Sequence, residues 1–183
     1  MMYLLLFVGA IALIGMFMYN GLIKSRVKVD NAWSDISVFL KKRYDLIPNL
    51  VNTVKGYAKH EAGTLEKVIA ARNQAVGTNP ANVGEVANSQ AAITSGIRSI
   101  FALSESYPEL KANTNFIELQ KNLQDIENDL SGARRYYNAT VRDYNTSIQS
   151  VPQVVLANMF DFEPREFFEL DQAAEAQNIK VEF

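Results

Sequence analysis

Side chains able to do acid–base, nucleophilic or metal chemistry are sparse in this sequence. It contains one histidine, His60, and no cysteine. Without cysteine there is no thiolate nucleophile or cysteine-ligated zinc, and His60 is the one histidine that could act as a general base. Tyr57 stands three residues before His60, so the Glu-x-x-His pair of a di-iron bundle is absent. We therefore predict no catalytic, cofactor-binding or metal-ligating residue, and expect His60 to be an ordinary surface or interhelical histidine.

The charge balance excludes a further class of function. The chain has 18 basic and 20 acidic side chains and a formal net charge of -2. A nucleic-acid binder needs a concentrated basic face, so we expect no nucleic-acid partner. An enzyme that uses carboxylates alone, as in glycoside hydrolysis, remains a minor hypothesis, because the predicted loops are too short to build a cleft.

One group of polar residues is a candidate for docking a partner. It comprises Arg43, Asp45, Pro48 and Asn49. Asp45 and Asn49 are four residues apart and share a helix face with Lys41, whereas Arg43 falls on another face. The simpler interpretation is a Lys41–Asp45 pair and an arginine that reaches an acidic residue on a neighbouring helix. The alternative is a docking face oriented by a kink at the proline.

A second candidate group is aromatic and lies near the C-terminus. Phe160, Phe162, Phe167 and Phe168 alternate with acidic residues. We expect these aromatics to close the end of the folded body, with residues 163–183 forming a C-terminal flap or tail. The alternative is an exposed aromatic and acidic ligand for a partner, in which Phe160 and Phe162 are the docking residues.

Three long segments, residues 28–76, 85–104 and 114–150, are expected to hold these side chains in place. Their apolar residues recur at steps of three and four, which predicts helices with one buried face. The last segment keeps this pattern for about five heptads, as a coiled coil does. Pro48 predicts a kink in the first segment, which either continues as one helix or folds back near Glu61.

These segments predict an all-α fold, an up-and-down bundle of three to four long helices over residues 24–162. The glycine and proline in Gly77–Pro80 predict a break between the first two segments. Asn113 or Thr114 is expected to cap the third segment, and Val151–Pro152 to end it.

The first 23 residues predict a membrane anchor. Met1 to Ile23 contains no charged side chain and would span roughly 34 Å as a helix, enough to cross a bilayer core. It lacks a basic start and a small-residue cleavage site, so we expect it to be retained. Lys24, Arg26 and Lys28 follow directly, and the positive-inside rule then places the N-terminus outside the cell membrane and the body in the cytoplasm.

Several motifs resemble those of one bacterial family. In the first half of the chain they are NAWSDI at 31–36, LKKRYDLIPNLV at 40–51, YAKHE at 57–61 and ARNQA at 71–75. Near the C-terminus, Tyr144-Asn145 and Met159-Phe160-Asp161-Phe162 follow the same family pattern, in which Phe-Gly-Phe is more usual, so Asp161 takes the glycine position.

This resemblance is to the LemA family and covers nearly the whole chain. It implies a membrane-anchored helical bundle with no established enzymatic activity. Family members are discussed alongside a membrane zinc metalloprotease or stress functions, and a relative acts in magnetosome membrane formation.

Two functional hypotheses follow from the anchor, the bundle and the few reactive side chains. The first is a non-enzymatic scaffold or adaptor, which self-associates or binds another membrane protein such as a membrane protease. The second is a homo-oligomer that shapes the membrane. Both take the lipid bilayer as a partner and require no cofactor.

Overall fold

The computed structural model describes residues 1–169, and all regular structure in that part of the chain is helical. The predicted all-α class with long helices is therefore confirmed. Residues 170–183, which include most of the predicted C-terminal flap, lie outside the described residues. The helices of residues 1–169 are α1 (Met2–Lys55), α2 (Ala62–Gly77), α3 (Val83–Ser104), α4 (Pro108–Lys111), α5 (Thr114–Gln149) and α6 (Gln153–Met159).

The chain forms two compact units. Among the described residues, the anchor unit comprises Met1–Asp35 and Ala133–Phe167, and the bundle unit comprises Ile36–Gly132 with Phe168 and Glu169. Both α1 and α5 contribute residues to each unit, because both helices are long. The predicted division into an anchor (1–23), a bundle (24–162) and a C-terminal flap or tail (163–183) stays a prediction.

The first predicted segment is two helices, not one. Helix α1 continues through Pro48 and ends at Lys55. The backbone N–H groups of Tyr57 and Ala58 both donate to the carbonyl of Val54, each at 2.9 Å, which tightens the last turn and ends the helix. Ala58 is buried and holds this turn against the core. His60 lies exposed in the same turn rather than on a helix face.

The core of the bundle unit is built from the predicted apolar stripes. Phe101 packs edge-to-face on Phe116 with ring centroids 6.1 Å apart, which joins α3 to α5. The other buried contributors come from all four longer helices and from α4: Ile47, Leu50, Val54, Leu65, Val68, Ile93, Ile97, Ile100, Leu110 and Leu123. These contacts confirm a helical bundle.

Side-chain caps mark the starts of two helices. The Asn113 carboxamide oxygen accepts the Phe116 N–H at 3.0 Å at the start of α5, as predicted, and Asn82 does the same for Glu85 at the start of α3. Asn113 also donates from its amide nitrogen to the Tyr57 hydroxyl at 2.9 Å. One residue thus starts α5 and fastens it to the turn after α1.

In the anchor unit, α1 packs against the second half of α5. The buried apolar residues in this half of α5 are those of the predicted heptad pattern, Tyr137, Val141, Tyr144 and Ile148. Trp33 of α1 stacks at a tilt on Tyr137, with ring centroids 5.4 Å apart.

The N-terminal part of α1 is long and apolar enough to cross a membrane. Its most apolar stretch has a mean hydropathy of 2.2, and none of that stretch is buried within the protein. The large apolar side chains from Met1 to Phe17 are exposed, whereas Leu22 is buried against the rest of the unit. Within residues 1–169, α1 is the one helix with these properties.

Candidate functional site

The predicted docking residue Arg43 is the centre of a buried polar network in the bundle unit. Its side chain is 4% exposed, and its guanidinium Nη2 lies 2.9 Å from Glu127 Oε2 on α5. The same nitrogen donates to Thr94 Oγ1 on α3 at 2.8 Å, and Nη1 lies 3.5 Å from Gln90 Oε1. The predicted reach of this arginine to an acidic residue on a neighbouring helix is confirmed.

Gln90 extends the network to the tyrosine next to Arg43. Its amide nitrogen donates to the Tyr44 hydroxyl at 2.6 Å and to Ser89 Oγ at 3.1 Å. Burial raises the pKa of Tyr44, although the Gln90 hydrogen bond and the Arg43 charge act in the opposite direction. Arg72 of α2 donates from Nε to the Tyr44 carbonyl oxygen at 3.3 Å. Helices α1, α2, α3 and α5 are therefore joined by hydrogen bonds around two adjacent residues.

Sequence reasoning missed Gln90, although one signal was present. In α3 the buried positions Val86, Gln90, Ile93 and Ile97 keep the alternation of four and three. A glutamine in a position of the apolar stripe predicts a partner inside the core, because a buried amide without hydrogen bonds is costly.

The other members of the first candidate group do not share one surface with Arg43. Asp45 is exposed and accepts from Lys41 Nζ at 2.9 Å, which confirms the predicted pair. Asn49 is exposed, and its carbonyl accepts the Thr53 hydroxyl at 2.9 Å. Pro48 is half-buried. Arg43 is inside the bundle, whereas Asp45 and Asn49 are exposed.

Two grooves flank this part of α1. An apolar groove of about 760 Å³ between α1 and α2 is lined by Pro48, Val51, Leu65 and Ile69 among others. A smaller groove of about 400 Å³ lies between α1 and α5. Its polar lining residues are Lys42, Asp45, Asn122, Asp125 and Asp129. Across residues 1–169, no group of three or more histidine, cysteine, aspartate or glutamate side chains is arranged to hold a metal ion.

In the anchor unit, the segment after α6 is tied down by hydrogen bonds to α5. We call residues 160–167 the strap. The Asn145 side chain donates to the Arg165 carbonyl at 2.9 Å and accepts the Arg165 N–H at 2.8 Å. The hydroxyls of Tyr137 and Tyr144 donate to the carbonyls of Glu166 and Glu163 at 2.9 and 3.0 Å.

The two tyrosines that hold the strap are shielded from water. Burial raises the pKa of Tyr137 to about 12, although the nearby Arg165 charge lowers it. Burial also raises the pKa of Tyr144. Arg165 in addition forms an ion pair with Asp30 of α1, with Nη2 3.0 Å from Oδ1. The strap is therefore fastened to both long helices of the unit.

Asp161 has a backbone conformation that glycine adopts more readily than other residues. Its φ is 51°, in the left-handed region. It follows the helix end at Phe160, and the Phe162 N–H donates back to the Ala157 carbonyl at 2.9 Å. This is the six-to-one bond of a Schellman motif, in which the residue after the cap is left-handed.

The two candidate aromatic residues then differ in exposure. Phe162 is buried, so it belongs to the packed interior rather than to a free docking surface, whereas Phe160 is 50% exposed. Both rings meet Tyr19 of α1 edge-on, with centroids 4.8 Å away for Phe160 and 5.8 Å away for Phe162. The Arg26 guanidinium lies 5.2 Å from the Phe162 ring centre, which is within reach of a cation–π contact.

Comparison of the sequence with known proteins identifies its family. The family model for the LemA family matches residues 32–183. A curated relative, Protein LemA from Metamycoplasma hominis, is 25% identical over 167 residues, which cover 89% of this chain and 73% of the relative. Because the family model extends over most of the sequence, the chain belongs to the LemA family.

Proposed function

We propose that this protein is a non-enzymatic scaffold or adaptor, anchored in the cell membrane by the first part of α1. Its function is carried by self-association or by binding another membrane protein, with a membrane protease as one class of partner. The observation that carries the proposal is the fully exposed apolar stretch of α1, which continues into the same helix that packs in the folded body.

The use of the polar residues supports a non-enzymatic role. The strongest cluster of buried polar groups, around Arg43, joins four helices through contacts within the protein. The side chains of Asn145 and Tyr137 likewise donate hydrogen bonds to the backbone of the strap. These groups stabilise the fold, which is a structural task rather than a chemical one.

The proposed orientation puts the folded body in the cytoplasm. Lys24, Arg26 and Lys28 follow the apolar stretch, and cytoplasmic flanks carry such an excess of basic residues. A cysteine-free chain is compatible with this reducing compartment.

Association of the intact protein tests the scaffold proposal. Two differently tagged copies of the full chain are expressed together, solubilised in mild detergent and captured through one tag. A matched variant carries an unrelated single-pass span of equal length in place of residues 1–23. With either span, we expect the second tagged copy or a partner protein to be captured in a larger amount than its abundance in the membrane accounts for. If every protein is captured only in proportion to its abundance in the membrane, the scaffold proposal is contradicted.

The alternative proposal is a homo-oligomer that shapes the membrane. It is favoured by the length of α1, which lets many anchored helical bodies pack beside one another. It predicts large homo-oligomers, and vesicles that become tubular or dimpled when the full chain is reconstituted. A strictly monomeric particle in detergent and smooth vesicles would contradict it.

A further inference from the structure

Helix α6 presents an apolar ridge that the protein itself leaves uncovered. We call four exposed apolar residues in and next to α6 the ridge: Val155 and Met159 are four residues apart in the helix and share one side, and Val151 and Phe160 flank the helix at its two ends. The exposed fractions of Val151, Val155, Met159 and Phe160 are 84%, 61%, 66% and 50%. The buried face of the same helix is represented by Ala157. Two large apolar side chains are thus exposed on one side of a short helix, and one more is exposed at each of its ends.

The surroundings of this ridge along the chain are uncharged. Residues 144–160 contain no Asp, Glu, Lys or Arg, so neither the end of α5 nor α6 brings a charge to this surface. Charged residues resume at Asp161. A surface that remains in water is seldom both apolar and free of charge over such a length.

The position of α6 beside α1 indicates what covers the ridge. The Phe160 ring contacts the Tyr19 ring, with centroids 4.8 Å apart. Tyr19 comes two residues after Phe17, the last of the exposed large apolar residues in the candidate span. From Met1 to Tyr19 a helix rises roughly 27 Å, close to the thickness of a hydrocarbon core. The ridge therefore adjoins α1 close to the C-terminal end of the candidate span.

The chemistry of this point suits the border between acyl chains and headgroups. Tryptophan and tyrosine are enriched there, and Tyr19 contacts Phe160 near the C-terminal end of the candidate span. Lys24, one turn beyond Tyr19 on α1, is exposed and positioned to meet anionic headgroups. An apolar helix face that lies in the membrane plane buries itself at this border.

We propose that α6 is a second membrane-contact element, whose ridge of Val151, Val155, Met159 and Phe160 inserts into the bilayer at the border of the acyl chains. The partner is the lipid surface itself. This inference rests on the proposed anchoring by α1, and it adds that the end of the folded body lies against the membrane.

Depth-dependent fluorescence quenching in the full chain tests this inference. Because the sequence contains no cysteine, Val155→Cys provides a unique site for a bimane label, and Met159→Cys provides a second one. The labelled chains are reconstituted in vesicles of phosphatidylcholine and phosphatidylglycerol. Quenching by lipids with a nitroxide near the headgroup end of the acyl chain is compared with quenching by aqueous iodide.

Two control sites lie on α1 of the same unit. Leu13→Cys reports on the span, and Val27→Cys is an exposed valine about two turns beyond Tyr19. We expect lipid quenching at Val155 and Met159 to exceed that at Val27 several-fold, with iodide quenching reduced to a similar degree. Both ridge positions are exposed, so the substitutions leave the core packing intact.

The outcomes separate this inference from the anchoring on which it rests. If the label at Leu13 is quenched by lipid but those at Val155 and Met159 behave like that at Val27, α6 does not contact the membrane although the anchor does. If iodide quenches the label at Leu13, α1 does not span the membrane, and both the proposed anchoring and the proposed membrane contact of α6 are contradicted. If the labels at Val155 of two chains contact each other and are not quenched by lipid, a second copy of the protein covers the ridge and the inference is overturned.

Discussion

Arg43 and Glu127 form a charge-assisted hydrogen bond, with 2.9 Å between Nη2 and Oε2, that joins α1 to α5 within the bundle unit. The arginine is almost fully buried, whereas the carboxylate is one-third exposed. A buried cation that loses a close carboxylate is costly, because little water is present to solvate it. This pair is therefore expected to matter more for stability than the ion pairs on the surface.

Replacing Glu127 by alanine should lower the free energy of unfolding by about 2–4 kcal/mol, since the buried guanidinium loses its acidic partner. The matched control is Asp45→Ala, which removes the exposed partner of Lys41 and should cost less than about 1 kcal/mol. Chemical denaturation of the full chain in detergent, followed by circular dichroism, measures both. Equal losses in the two variants would contradict a structural role for the Arg43 network.

The strap should loosen at alkaline pH. The pKa of Tyr137 is raised from 10.0 to about 12 by burial, so folding favours the neutral phenol. This contribution is fully present below pH 10 and is lost as the pH rises towards 12, at a slope of at most about 1.4 kcal/mol per pH unit for one group. Denaturation series from pH 8 to pH 12 measure the slope.

The variant Tyr137→Phe should reduce this alkaline loss. It is expected to be less stable than the unmodified protein at pH 8, because the Glu166 carbonyl loses its hydrogen bond from the hydroxyl. The stability difference between the two proteins should then shrink above pH 10. A difference that stays constant across the whole range would show that Tyr137 does not titrate with folding.

The left-handed backbone at Asp161 predicts an order of stability among substitutions. Asp161→Gly should be as stable as the unmodified protein or more stable by up to about 1 kcal/mol, because glycine adopts this conformation without steric cost. Asp161→Val should cost about 1–2 kcal/mol, since a β-branched residue tolerates a positive φ poorly. Thermal unfolding of the three proteins gives the order. A valine variant as stable as the aspartate would contradict the Schellman motif described for α6.

The close contact between α2 and α3 predicts an unfavourable effect of adding one methyl group. A Cβ at Gly96 would lie 2.9 Å from Val68 Cγ2, in a buried place where valine has little freedom to move. Gly96→Ala should therefore destabilise the protein by about 1–3 kcal/mol through overpacking, although alanine favours helices intrinsically.

Two further variants make this packing prediction sharp. Gly63→Ala in α2 places its Cβ in open space, so it should stabilise the protein by about 0.4–1 kcal/mol. The double variant Gly96→Ala/Val68→Ala should lose less stability than the sum of the losses in the two single variants, which a double-mutant cycle in chemical denaturation detects. Additive losses in the cycle would mean that the two side chains do not meet.

The sequence alone predicted the features that arise from local interactions. The heptad pattern from Phe116 to Ile148 predicted α5, because the period of the apolar residues and the backbone hydrogen bonds of a helix both act over three to four residues. The run from Met1 to Ile23 predicted the candidate span for the same reason, since hydropathy and length are properties of one segment. Asn113 as a cap and the Lys41–Asp45 pair also act within one helical turn.

Tertiary packing decided which distant residues meet. The sequence indicated that Arg43 would reach an acidic residue, but only the positions of α3 and α5 selected Glu127, Thr94 and Gln90 as its partners. The choice between one helix and two near Glu61 also depended on packing, because Ala58 is held in the core by residues far along the chain. The contact of Phe160 with Tyr19 likewise joins the two ends of the anchor unit. Such contacts follow from how helix faces fit together, which the spacing of residues along a single helix does not specify.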